Sequence, residues 1–177
     1  MLKIVLTGPE SSGKTLLAEA LAGQLGTLWV PEFARYYVAH LGRPYEQTDL
    51  EIIYRGQQLW ENWFLEKAIA SSPLPCLVCD TDWTVIRIWE KYGYRTPSVL
   101  PLANDWEQAE NTFYLLCAPD FPWQPDPLRE HPEERWKLFE LYRALLEERE
   151  LAYFILEGSH ENRLRLATEL VARRFGS

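Results

Sequence analysis

Residues 8–15 read Gly-Pro-Glu-Ser-Ser-Gly-Lys-Thr, with the spacing G-x-x-x-x-G-K-[ST]. A turn of this kind aims successive backbone N–H groups into a concave anion nest. Where it opens a helix, the macrodipole adds positive potential. The chemistry it suits is grip on nucleotide phosphates: Lys14 would reach the β- and γ-phosphates, and the Thr15 hydroxyl would ligate Mg²⁺. Both flanks agree with that reading. Leu2, Ile4, Val5 and Leu6 make a short buried strand before the turn, and Leu16, Leu17, Ala18, Ala20, Leu21 and Leu25 recur at helical spacing after it. The expected phosphate-binding set is Gly8, Glu10, Ser11, Ser12, Gly13, Lys14, Thr15 and Leu16, with ATP and Mg²⁺ as ligands. The alternative, a chance glycine turn ahead of a capped helix, needs motif, strand and helix to coincide.

Such a loop needs an acidic partner for Mg²⁺ at the end of a neighbouring strand. Asp80 closes the apolar run Cys76-Leu77-Val78-Cys79, and Asp82 follows in Asp80-Thr81-Asp82. Ligands of open α/β sheets gather beyond the carboxyl ends of strands. Asp80 is therefore expected to join Thr15 in the metal shell, and Asp82 to orient or deprotonate an acceptor hydroxyl. The alternative is that either carboxylate caps the next helix. A guanine-reading N-K-x-D is absent, since none of the four asparagines precedes a lysine, and so is L-S-G-G-Q. Small-molecule kinases instead carry an arginine-bearing lid between the fourth and fifth strands. Arg129 and Arg135, beside Asp126, fall in that interval, about residues 119–135. The alternative for them is a surface ion pair with Glu130, Glu133 or Glu134. Adenine contacts are expected around residues 158–163, which brings in Arg163. The acceptor pocket is expected between the ends of the second and third strands. Its lining would come from Glu32, Arg35 and Tyr36, then Gln57, Trp60 and Trp63, although aromatics at helical spacing serve a core equally well.

The elements that must position these residues follow in order. After the first helix, 27–31 reads as a second strand and 32–40 as a helical or irregular stretch ending near Gly42-Arg43-Pro44. Thr48-Asp49 can cap a long helix to about Ala70, with Ile53, Trp60, Trp63 and Phe64 on its apolar face. A third strand spans 75–80, almost wholly apolar, as a strand covered on both faces must be. Helix is expected at 84–92, a break at 96–101 and a short helix to 109. A fourth strand covers 112–117, a proline-rich loop 119–132, a charged helix 133–150, a fifth strand 152–156 and a closing helix 161–175. The apolar members of the charged helix are Trp136, Phe139, Leu141, Leu145 and Leu146. Strands alternating with helices predict a single three-layer α/β domain over 1–177, a five-stranded parallel sheet with helices on both faces.

These residues also carry a resemblance. V-P-E-F-A-R (30–35), G-Q (56–57), D-T-D (80–82), L-L-C-A-P-D-F-P-W (115–123) and D-x-x-R (126–129) resemble the ribosylnicotinamide kinase domain of NadR-type proteins. G-P-E-S-S-G-K-T is the form of phosphate loop typical there. The resemblance implies ATP-dependent phosphorylation of the 5′-hydroxyl of nicotinamide riboside. It makes Lys14, Thr15 and Asp80 the ATP–Mg²⁺ set, Asp82 and Glu32 ribose or acceptor contacts, Trp63 a nicotinamide-stacking residue, and Arg129 and Arg135 lid residues. Trp123 and Asp126 are counted with the acceptor-binding residues. The chain departs from the family in the lid, where Asp-Gly is usual and Asp126-Pro127 stands here, fixing φ and removing an N–H donor. It also lacks the DNA-binding segment and the adenylyltransferase domain of the full-length proteins, so a free-standing kinase is expected.

Composition bounds the remaining choices. At 177 residues the chain can bury about 70% of its unfolded surface. A net charge of −8 argues against a nucleic-acid partner and makes local cations and Mg²⁺ the means of holding a triphosphate. No apolar run reaches the roughly 18 residues of a membrane span, and Met1 leads straight into the first strand, which points to the cytoplasm. Cys76 and Cys79 stand three apart on one strand, so they face opposite ways and suit core packing rather than a shared metal. His40, His131 and His160 show no ligand spacing. Homo-oligomer formation is left open. The rival functions are a kinase of the same fold for another nucleoside or small metabolite, and a non-catalytic ATP-sensing module.

Overall fold

A computed structural model describes residues 1–72, 74–94, 111–125 and 132–175. Five strands, β1 (Leu2–Thr7), β2 (Trp29–Val30), β3 (Cys76–Asp80), β4 (Thr112–Cys117) and β5 (Tyr153–Leu156), form one sheet in the order β2-β3-β1-β4-β5. Every pairing is parallel. The helices are α1 (Lys14–Leu25), α2 (Phe33–Leu41), α3 (Asp49–Ser71), α4 (Trp83–Trp89), α5 (Arg135–Glu148) and α6 (His160–Phe175). A π-helical turn, Glu90–Tyr94, prolongs α4.

Side-chain alternation sorts the strands into two cores. Leu2, Ile4, Leu6, Cys76, Val78, Leu115 and Cys117 meet α1 and α6 on one face. Val5, Val30, Leu77, Cys79, Tyr114 and Leu116 meet Ala68 of α3 and the apolar sides of α4 and α5 on the other. The three-layer α/β architecture expected from the sequence is the one observed, and Cys76 and Cys79 lie in opposite cores. A third, smaller core joins Ala34 of α2, Leu50, Ile53 and Tyr54 of α3, and Ile86 of α4.

Several boundaries differ for local reasons. β2 is two residues long, because the Thr27 hydroxyl bonds the Cys76 carbonyl and the Leu28 carbonyl accepts from Val78 N before regular pairing begins. Thr48 makes no side-chain cap for α3. The Asp49 and Leu50 N–H groups are met instead by the Glu46 and Gln47 carbonyls, and the Asp49 carboxylate accepts the Glu46 N–H at 2.7 Å, fixing the turn that leads into the helix. The charged helix begins at Arg135 rather than 133, and buries Leu138 and Tyr142 where Trp136, 55% exposed, was expected. The expected break at 96–101 and short helix to 109 lie outside the described residues. Among the described residues no helix is long and apolar enough to cross a membrane.

Candidate functional site

The carboxyl ends of β1, β3 and β4 open on a cleft of about 340 Å³, at the small end of pockets that hold metabolites. The loop after β1 forms one wall with Gly8, Glu10, Ser11, Ser12, Gly13, Lys14, Thr15 and Leu16. Glu32, Arg35, Val85, Trp89 and Tyr142 form the other, and Phe121, Pro122, Gln124 and His160 close the rim. The loop's shape follows from its residues. Gly8 has φ +132°, and a Cβ there would lie 2.6 Å from the Cys117 carbonyl oxygen, so the chain passes β4 only without a side chain. Ser12 Oγ donates to the Pro9 carbonyl at 2.7 Å. Lys14 Nζ donates to the Gly8 and Pro9 carbonyls at 2.9 and 2.7 Å, which places its ammonium at the mouth of the loop. Ser11, at φ +52°, exchanges hydrogen bonds with the Gln124 backbone, tying the loop to the segment after β4.

Asp80 ends β3 beneath this loop, 1% exposed, and neither carboxylate oxygen has a hydrogen-bond partner. Burial raises its carboxyl above the ordinary value. The Thr15 hydroxyl and the Lys14 and Arg35 cations oppose that rise without cancelling it. A buried anion that its neighbours compensate only in part costs free energy unless something else neutralises it. Asp80 and Thr15, a carboxylate and a hydroxyl at a phosphate loop, are the donor set that fits Mg²⁺.

Asp82 lies elsewhere. Its Oδ1 accepts from Thr84 N at 2.9 Å and from Thr84 Oγ1 at 2.7 Å, capping α4, and its Oδ2 accepts from the Tyr114 hydroxyl at 2.8 Å. It is 2% exposed and does not line the cleft. The expected acceptor base is thus a helix cap in a buried network, with Lys3 Nζ 3.7 Å away. Arg163 also differs from expectation. Rather than facing adenine, it is 1% exposed and donates to the carbonyls of Gly158, Ser12 and Ala118 and to Asp120. Its guanidinium stacks 4.5 Å from the Phe121 ring. It braces the phosphate loop against the ends of β4 and β5.

The remaining sequence-derived residues divide by geometry. Glu32 and Arg35 face the cleft, with Arg35 Nε 3.3 Å from Glu32 Oε2. Tyr36, half exposed, lies against His40 and Trp60. Trp60 packs edge-on to Phe33, and Gln57 is buried between α3 and α2. Trp63 is 53% exposed on the outside of α3, beside Phe64 and under Lys67, so it does not stack in the cleft. Arg135 donates to the Phe121 carbonyl at 2.8 Å and covers the Trp123 ring. Asp126 and Arg129 lie outside the described residues.

The sequence reading missed the cleft's aromatic members, Trp89, Phe121 and Tyr142. Val85 and Trp89 share a face of α4 at i, i+4, a spacing that could have flagged them once Asp82 was read as the cap. Tyr142 had no local signal, because α5 is brought to the cleft by tertiary packing beside α4 and over the sheet. Burial pushes the Tyr142 phenol well above its ordinary value, and Glu32 and Glu10 add to the rise. It therefore faces the cleft neutral.

A family model described as an AAA domain matches residues 3–163. No curated protein matches the chain. Among solved structures, a NadR protein in complex with NR is similar at TM-score 0.69 and 22% identity, over 99% of this chain and 50% of that one. A NadR protein in complex with NAD and AMP-PNP is similar at TM-score 0.69 and 21% identity, with the same coverage. The YorR protein of Bacillus subtilis in complex with phosphorylated GDP is similar at TM-score 0.59 and 14% identity, over 99% of this chain and 98% of that one. The chain spans about half the length of the NadR chains it matches. At these identities the likeness shows the fold alone.

Proposed function

Because the chain belongs to the AAA-domain family, whose model spans residues 3–163, we propose that it is an ATP-dependent kinase. Its acceptor on this reading is the 5′-hydroxyl of nicotinamide riboside, and its product nicotinamide mononucleotide. The observation that carries the phosphotransfer reading is the buried Asp80 carboxylate, only partly compensated by Thr15, Lys14 and Arg35, beneath the loop that forms one wall of a cleft whose other wall is aromatic and acidic. The acceptor reading is supported by the sequence motifs and by the likeness to NadR bound to NR. A cationic pyridinium suits a wall of Trp89, Tyr142 and Glu32, since cation–π contact contributes about 0.5–2 kcal/mol.

The mechanism is positioning and charge neutralisation. The backbone N–H groups of residues 10–16 hold the phosphates, and Lys14 leaves the Gly8 and Pro9 carbonyls to reach the β- and γ-oxygens. Thr15 and Asp80 would hold Mg²⁺, which supplies positive charge at the transferring phosphoryl when bound. Glu32 and Arg35 orient the ribose, with the 5′-oxygen in line with the γ-phosphorus. A bond forms between that oxygen and phosphorus as the bond to the β-γ bridging oxygen breaks. The hydroxyl proton leaves toward Glu32 or solvent, because Asp82 is already fully engaged. Arg129 and Arg135 are the residues we propose would close over the transferred group.

A substrate panel tests the proposal. With ATP and Mg²⁺, nicotinamide riboside should give nicotinamide mononucleotide and ADP faster than any purine, pyrimidine or deoxynucleoside. Turnover of another nucleoside without turnover of nicotinamide riboside would overturn the acceptor. ATP binding with no phosphorylated product from any acceptor would overturn the kinase.

A further inference from the structure

The N–H groups in the first turn of a helix have no partner within it. Phe33 opens α2, and Glu32 before it makes no side-chain cap. The Phe33 N–H is met from another helix: it donates to Gln57 Oε1 of α3 at 2.8 Å. Gln57 is 5% exposed and does not line the cleft. Its amide is oriented from the far side, where Nε2 faces Glu61 Oε1 at 3.5 Å and Glu61 Oε2 accepts from Lys3 Nζ at 2.6 Å. Lys3 belongs to β1, the central strand. Burial weighs against its ammonium, but Glu61 and Asp82 outweigh burial and keep it charged. Next to Gln57, Gly56 carries no side chain, and a Cβ there would overlap the Phe33 ring. The head of α2 is thus tied by hydrogen bonds to the strand that carries the phosphate loop. The residues it presents, Glu32 and Arg35, line the cleft.

We propose that Gly56 and Gln57 are positioning residues for the acceptor. They hold Glu32 and Arg35 at a set distance from Lys14 without touching substrate. Gln57 caps a helix by crossing between helices, and Gly56 lets the two helices close enough for that bond. The inference rests on the reading above, in which the acceptor lies against Glu32.

The test uses the full chain with nicotinamide riboside and ATP–Mg²⁺. Gln57→Leu keeps the volume and removes the cap, and Gly56→Ala displaces the Phe33 ring. Each should raise KM for nicotinamide riboside about tenfold, the size of one lost buried hydrogen bond, and leave KM for ATP within about twofold. Added to Glu32→Gln, Gln57→Leu should cost little more, since residues acting through one contact are not additive. Amide exchange at Phe33 should accelerate in Gln57→Leu while β1 stays protected. Glu32→Gln alone separates the two readings. If nicotinamide riboside is not turned over, or Glu32→Gln leaves its KM unchanged, the acceptor site and the positioning role both fall. If Glu32→Gln raises that KM and neither Gln57→Leu nor Gly56→Ala does, the positioning role falls alone. It also falls alone if Gln57→Leu raises both KM values equally or adds in full to Glu32→Gln.

Discussion

Asp80 is destabilising as long as nothing neutralises it. Burial raises its carboxyl above the unfolded value, so the folded chain prefers it protonated. Its contribution to stability is fully present below the unfolded carboxyl pKa of about 3.9 and is lost as pH rises through the higher folded value. Asp80→Asn should therefore melt above the parent at neutral pH with chelator present, and lose about 10²–10³ in kcat. A lower melting temperature would mean that the carboxylate has a partner in the fold. The aromatic residues give a second contrast at this scale. Trp89→Ala should raise KM for the nucleoside with KM for ATP unchanged. Trp63→Ala should alter neither, because that ring stands outside the cleft. Steady-state kinetics with each substrate varied in turn decides both.

At the scale of elements, the turn from the end of α2 into α3 is gathered on one carboxylate. Asp49 accepts from Arg43 through two nitrogens, at 2.7 and 2.8 Å, from the Tyr37 hydroxyl at 2.8 Å and from Glu46 N. Arg43 first, then the backbone of Glu46 and Tyr37, hold its carboxyl well below the usual carboxylate range despite burial. The sign is opposite to that of Asp80: this stability is present above about pH 4 and is lost as pH falls through the folded value. Asp49→Asn should thus lower the melting temperature at pH 7 and narrow the gap to the parent on acidification to about pH 3. A gap that stays constant with pH would show that the amide replaces the carboxylate bond for bond. The sequence predicts a cap for this helix at Thr48-Asp49, of the usual type. It missed the Arg43 fork because the pairing depends on how Gly42 turns the chain, with φ +70°.

At the scale of the whole molecule, the proposed reaction asks a chain of net charge −8 to bind a polyanion. On that reading Mg²⁺ and Lys14 would supply the offsetting charge, so ATP alone should bind weakly and ATP with Mg²⁺ well. At about 100 times Kd, the complex should gain roughly 2.7 kcal/mol, or about 5–10 °C in Tm for a chain of this length. Lys14→Ala should abolish that gain while leaving the unliganded Tm within about 2 °C, since among the described residues its ammonium donates hydrogen bonds to the carbonyls and Ser12 hydroxyl of its own loop. Thermal melts with ATP, Mg²⁺ and both together check it. An undiminished shift in the variant would remove Lys14 from the phosphate site.

Local sequence determined the five strands, the phosphate loop and the Asp80 strand end. Each depends on near neighbours alone: a period of two or 3.6, a glycine-rich spacing, a carboxylate closing an apolar run. The opposite faces of Cys76 and Cys79 followed from the same parity. What each polar residue does was decided by tertiary structure. Asp80 and Asp82 are two positions apart and alike in type, but Thr81 turns the chain at φ +73° between them. One carboxylate is left only partly compensated under the loop, and the other is bound to Thr84 and Tyr114. Arg163 and Gln57 looked like ligand contacts and became braces, because their partners, Ser12 and Ala118 for one and Phe33 for the other, come from distant parts of the chain. Trp63, expected in the acceptor pocket, stands outside the cleft and Trp89 lines it, for the same reason. Which tryptophan faces the cleft depends on the rotation of a helix against the sheet, and that is settled by packing over both cores rather than by any spacing within the helix.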